Sequence, residues 1–228
     1  MLRFPAATMI AVMTASLCWA VLPPQRSRNT NRLGDLHVGG VFGFEPNVGQ
    51  AGRGVAFVAR GRDYALTLSS NELVLTYLEG FGDVDRWFHE EVVRLKLAQA
   101  QSSVETAGLD PLPGKSVFRL RADIPNYARV LFQDVYPGID LLCSGSQKRL
   151  ELQFVIRTGA RPEAIRLAWD GARRARVGPD GTLAMRTPLG EIRFLAPIMY
   201  NSFDGERQAV PGRFVRLGGS HAGFQPLP

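Results

Sequence analysis

The chain has 228 residues, a hydrophobic content of 45%, and 24 Gly and 15 Pro. This composition is enough to bury a real core and excludes wholesale disorder, while the Gly and Pro point to many turns. The formal charge of +6 implies a basic surface, but nucleic-acid binding needs clustered Lys/Arg within a recognisable motif.

Residues 1–20 read as a secretory signal peptide. Arg3 supplies a short positive start, an uncharged apolar run extends from Phe4 to Leu22, and small residues appear around Ala20. A cut after Ala20 puts Cys18 and Ala20 at the two small-residue positions. The same run is long enough to act as an uncleaved anchor, which would be the only membrane contact. A lipoprotein reading would acylate Cys18, but Leu17 and Trp19 fit that pattern poorly. Cleavage leaves Cys143 as the one cysteine, in the apolar run 139–143, where a buried small hydrophobe is its expected role. The expected location is outside the cytoplasm: secreted, periplasmic or at the cell surface.

Residues 21–35 are polar, contain Pro and lack periodicity, as expected of a flexible linker. The domain is expected over 36–220, with a short tail at 221–228. Within it, short alternating apolar runs at 55–59, 64–68 and 72–78 are broken by Arg60-Gly61-Arg62-Asp63 and Ser69-Ser70-Asn71. The stretch 87–97 alternates at Val93, Leu95 and Leu97, which favours a strand over a helix. Residues 128–135 and 149–156 follow, the latter with Leu150, Leu152, Phe154 and Ile156 on one face. Arg173, Arg174 and Arg176 form the densest basic cluster. They alternate with apolar residues as on the exposed face of a strand, with no aromatic stacking motif, so no nucleic-acid partner is expected.

Turn signals then separate 173–177 from 182–186 (Gly178-Pro179-Asp180-Gly181), that strand from 191–195 (Pro188-Leu189-Gly190), and 198–203 from 207–217 (Asp204-Gly205). Asp and Gly tolerate the positive φ that tight hairpins demand. Pro162-Glu163-Ala164 is expected to form one helical turn. The predicted fold is all-β: an antiparallel β-sandwich-like module of many short hairpin-linked strands after the N-terminal signal segment.

Residues able to carry chemistry are few. The three His residues, His37, His89 and His221, share no metal-ligand spacing with one another or with Cys, and no metal or cofactor is expected. Asp134 and Asp140 flank the turn Tyr136-Pro137-Gly138 and are the best acidic pair for glycoside hydrolysis, which uses two carboxyls at a set separation. The competing role is turn capping, in which Asp bonds to backbone amides. Trp87, Tyr136 and Trp169 are the aromatics on which a sugar face would stack, against the alternative of core packing.

Several segments in order carry a resemblance. Phe44-Glu45-Pro46-Asn47-Val48-Gly49-Gln50 opens the domain, and Gly108-Leu109-Asp110-Pro111-Leu112-Pro113-Gly114-Lys115 follows. Then come Tyr127-Ala128-Arg129-Val130, Asp134-Val135-Tyr136-Pro137-Gly138-Ile139-Asp140-Leu141 and Leu150-Glu151-Leu152-Gln153-Phe154-Val155. Gly159-Ala160-Arg161-Pro162 leads into Ala164-Ile165-Arg166-Leu167. Over residues 42–218 the series resembles the uncharacterised N-terminal β domain of the DUF7948 type that precedes SBBP β-propeller repeats in exported bacterial proteins. The sequence departs from that pattern at the short stretch 116–126 and at Leu142-Cys143-Ser144-Gly145-Ser146, and no repeats follow. The resemblance implies a surface or secreted β module with no established catalysis or ligand. The functional expectation is a non-catalytic structural or adhesive module with a cell-surface protein or glycan as partner. The alternatives are a glycan-binding module, a polysaccharide hydrolase using Asp134 or Asp140, and a fragment with no independent function.

Overall fold

A computed structural model of the chain describes residues 10–20, 42–61, 64–80, 88–118, 121–146, 149–187, 190–203 and 206–226. The expected linker at 21–35, Trp87, His37 and the turn residues Arg62, Asp63, Pro188, Leu189, Asp204 and Gly205 lie outside these residues.

The described chain is almost all strand, and every pairing is antiparallel. In chain order the strands are β1 (Ile10–Ala20), β2 (Phe44–Pro46), β3 (Phe57–Arg60), β4 (Tyr64–Leu68), β5 (Glu72–Gly80) and β6 (Phe88–Leu97). Next come β7 (Thr106–Phe118), β8 (Arg121–Tyr136), β9 (Ile139–Ser146) and β10 (Arg149–Ile156), then a 3-10 turn at Pro162–Ala164. The remainder are β11 (Leu167–Asp170), β12 (Arg173–Val177), β13 (Leu183–Thr187), β14 (Gly190–Phe194), β15 (Ile198–Phe203), β16 (Glu206–Gly218) and β17 (His221–Pro226).

The period-two pattern of the sequence sets which face is buried. In β10, Leu150, Leu152, Phe154 and Ile156 are buried while Glu151, Gln153 and Val155 are only half-buried. Strands β4 and β9 alternate in the same way. Successive strand residues point to opposite faces, so a single register commits a whole apolar set to the core. That core gathers Phe44, Phe132, Phe154, Phe194 and Phe214, each under 2% exposed. Burying each of these rings contributes about 1.5–3 kcal/mol. Phe214 stands 6.0 Å from Phe194 and 5.0 Å from Phe224, and Phe224 stands 6.0 Å from Phe154, so one aromatic run joins β14, β16, β17 and β10.

The pairings form a circuit. From β2 they run through β3, β4, β5 and β6 to β11, β17, β16 and β15. They continue through β1 to β10, β9 and β8, and Tyr127 of β8 faces Phe44 of β2 to complete the loop. Strands β12, β13 and β14 form a meander that joins the circuit at β1.

Three differences from the sequence expectation stand out. First, Ile10–Ala20, which falls within the apolar run of the expected signal segment, is a paired strand in the structure. Second, the expected tail at 221–228 is strand β17 through Pro226. Ala222 is fully buried there and Phe224 packs on Phe214, so two apolar contacts hold the segment down. Third, β7 and β8 run 13 and 16 residues, far longer than the runs the sequence marks. Register shifts between Pro111/Lys115 and Ser116/Phe118 let the pair continue past the Pro residues of β7.

Candidate functional site

The corner between β8 and β9 holds the acidic pair singled out by the sequence. Strand β8 ends at Tyr136, Pro137-Gly138 makes the turn, and β9 begins at Ile139. Gly138 has φ 74, a conformation that suits residues without a Cβ. A register shift between Phe132 and Tyr136 bulges β8 and puts Asp134 at φ 51. Asp is among the few non-Gly residues that adopt this region, because its side chain can bond locally.

Both carboxylates are used to hold the corner. Asp134 Oδ1 accepts the Gly138 backbone N–H at 3.1 Å, and Asp140 Oδ1 accepts the Asp134 backbone N–H at 2.8 Å. Arg157, at the end of β10, closes the arrangement. Its Nη1 donates to Asp140 Oδ1 and Oδ2 at 3.0 and 2.9 Å, and its Nη2 donates to Asp134 Oδ1. The Arg157 backbone N–H donates to the Gly138 carbonyl at 2.9 Å. One guanidinium therefore bridges two turn-capping carboxylates, a fork geometry that suits Arg and not Lys. Asp140 is 13% exposed and Asp134 is 52% exposed.

Two of the three aromatic candidates, Tyr136 and Trp169, are core residues. Tyr136 is 2% exposed and Trp169 is 6% exposed, so neither ring faces solvent. The Tyr136 hydroxyl lies within 3.1 Å of the Ala98 carbonyl and 3.3 Å of the Arg166 carbonyl, and it accepts the Arg166 N–H at 3.3 Å. It thus pins two connecting segments to the corner. Burial pushes its phenol above the ordinary value. Core packing is the role both rings play here.

A solvent-open cavity of about 460 Å³ lies elsewhere, lined by Asn71, Glu72, Lys96, Gln99, Ala168 and His221 among others. Its lining includes neither Asp134 nor Asp140, and no Phe, Tyr or Trp. Among the described residues no group of three or more His, Cys, Asp or Glu converges as a metal site. Cys143 is buried, and desolvation pushes its thiol up to about 12, so it is an inert core residue. On the basic strand β12, Arg176 pairs with Glu191 at 3.1 Å, and Arg193 holds the Glu191 carboxyl below its ordinary range.

Two clusters escaped the sequence reading. Asn47 organises the loop after β2. Its amide nitrogen reaches the carbonyls of Ala51, Gly52 and Val55 at 3.3, 3.2 and 3.0 Å, and its Oδ1 accepts the N–H groups of Gly49 and Ala51 at 3.1 Å. Gln50 adds a bond from its amide nitrogen to the Pro46 carbonyl at 3.0 Å. Beside it Glu45 is 5% exposed, with Oε1 accepting the Ser116 hydroxyl at 2.7 Å and Oε2 lying 3.7 Å from Arg60 Nη1. Asn126 in turn donates to the Ser116 hydroxyl at 3.0 Å. A Glu-Pro-Asn run beginning inside an apolar strand was the available signal, because a buried charge must find partners.

These clusters fall on the segments that carried the resemblance: the loop at 44–50, the Pro-rich β7 and the corner at 134–141. The family described as a domain of unknown function, DUF7948, matches residues 44–226. The chain belongs to that family. The match begins at β2 and ends with β17, so the DUF7948 domain takes in every described strand except β1. No curated protein and no solved structure matches the chain.

Proposed function

We propose that this DUF7948 domain is an exported, non-catalytic β module with a structural or adhesive role at the bacterial cell surface, where a surface protein or glycan is its partner. One observation carries the non-catalytic part. The best acidic pair, Asp134 and Asp140, has three of its four carboxylate oxygens bonded to two backbone amides and to Arg157. A hydrolase needs one carboxyl to give a proton and the other to attack or to activate water, across a gap that admits a sugar. Carboxylates tied to one guanidinium at a turn serve geometry instead. The charge-then-apolar-then-small pattern of residues 1–20 supports export.

The test uses the full chain, expressed with its own N-terminus in a bacterial host that exports proteins. Fractionation should find it outside the cytoplasm, and a cytoplasmic protein would overturn the export reading. The recovered protein is then incubated with a panel of polysaccharides, alone and as the Asp134→Asn/Asp140→Asn double variant. The expected result is no chain cleavage, and any ligand-induced rise in the melting transition persists in the double variant. Polysaccharide cleavage that the double variant loses would make the protein a hydrolase.

A further inference from the structure

Strand β1 is held on both sides. Ala11 to Cys18 lie opposite Ile156 to Arg149 of β10. On the other side, Ile10 to Thr14 lie opposite Ser202 to Ile198 of β15, and Leu17 to Ala20 lie opposite Phe194 to Glu191 of β14. Among the described residues no pairing joins β10 directly to β14 or β15. The circuit of strands therefore depends on β1 at this point, and β1 is the described strand that the DUF7948 match leaves out.

The expected export cut, after Ala20, coincides with the last residue of β1. Cleavage there removes the strand whole. It leaves two facing strand edges, the β10 side and the β14–β15 side, with their backbone N–H and C=O groups unpaired. Such an edge is a template for another strand, and pairing it from outside is a recurrent mode of peptide recognition. A gap flanked by two edges offers hydrogen bonds to both sides of the incoming chain. The backbone pairing fits an extended segment of eleven residues, and the sequence of that segment is uncharged and mostly apolar, with Thr14 and Ser16 as its hydroxyl residues.

We propose that the gap between β10 and β14–β15 is a strand-acceptor groove. It takes an extended, uncharged, apolar segment of a partner polypeptide once β1 has been cut away. The vacancy in the exported protein rests on the export reading above. A mature copy of this chain has lost its own β1, and the partner to which the groove is assigned is a different polypeptide.

The experiment separates the two claims. The intact mass of the exported full chain reports whether residues 1–20 are gone, and an uncut chain overturns the vacancy while leaving the groove to be judged by its own test. That test uses the full chain carrying Ala15→Pro, which removes a ladder N–H from the middle of β1. Synthetic peptides of the Ile10–Ala20 sequence, with and without the same Pro, are added in trans with a C-terminal Lys tag for solubility. Amide exchange is followed over residues 149–156, 191–194 and 198–202. The unmodified peptide should slow exchange in all three segments by about tenfold or more, and the Pro peptide should not. If the variant is unfolded alone, the same peptide should restore its folded spectrum. Absence of both protection and refolding overturns the groove, as does equal protection by the Pro peptide.

Discussion

Asp140→Ala is the substitution that most directly tests the corner. The side chain is 13% exposed and holds three hydrogen bonds: one from the Asp134 amide and two from Arg157 Nη1. Removing it takes the charged acceptor from the Asp134 N–H, a loss near the lower end of the range for bonds to charged groups, about 1.5 kcal/mol, because that amide lies near solvent. Arg157 is 37% exposed, so water replaces much of its lost pairing and the ion pair adds about 0.5 kcal/mol. The sum is about 2 kcal/mol, which for a domain of this length lowers the melting temperature by about 4–8 °C. Thermal melts of the wild type, Asp140→Ala, Arg157→Met and the double variant provide the assay. The double variant should lose less than the sum of the single losses, because both remove the same contact. An Asp140→Ala protein that melts with the wild type would refute the capping role and return the carboxylate to the list of candidates for chemistry.

Asn47→Ala removes both ends of the bonded amide that ties the loop at 47–55, and it should lower the urea midpoint by the equivalent of about 2–3 kcal/mol, whereas Asn47→Asp keeps the accepting half and loses less. Tyr136→Phe leaves the Arg166 N–H and two carbonyls without the hydroxyl and should cost about 1 kcal/mol in the same assay. The Cys143 thiol should resist alkylation in the native protein at pH 8 and react only on unfolding, as read by mass spectrometry in denaturant. Its folded value, about 12, lies above the ordinary thiol value of 9.0, so the folded state holds the proton more tightly. That contribution to stability is therefore fully present below pH 9 and is lost as the pH rises towards 12. Cys143→Ala should flatten the decline over that window.

Much of this fold is local and therefore readable in the sequence. The bounds of β10 and β4 follow from strict alternation, and the 3-10 turn follows from Pro162 at its first position. The long bulged β7–β8 pair was not readable, because Pro111 and Pro113 break the alternation and only the partner strand carries the register through. The Asp134–Asp140 proximity was visible as a turn flanked by carboxylates. Arg157 was not, because it stands 17 residues from Asp140 and arrives through the β9–β10 pairing. Tyr136 and Trp169 belong to the same class. Composition marks them as able to stack on a ligand, and only the packing decides that they face inward.

The position of β1 also orders events in time. The strand is made before its partners: β10 ends at Ile156 and β15 ends at Phe203. Synthesis at roughly 5–20 residues per second leaves the segment waiting about 10–40 s before the last of these neighbours exists. Pairings that span most of a chain are also slow to form once both halves are present. Throughout that interval the uncharged, mostly apolar segment Ile10–Ala20 is without its sheet. The order of synthesis thus leaves the segment open to other contacts before its own strands can claim it.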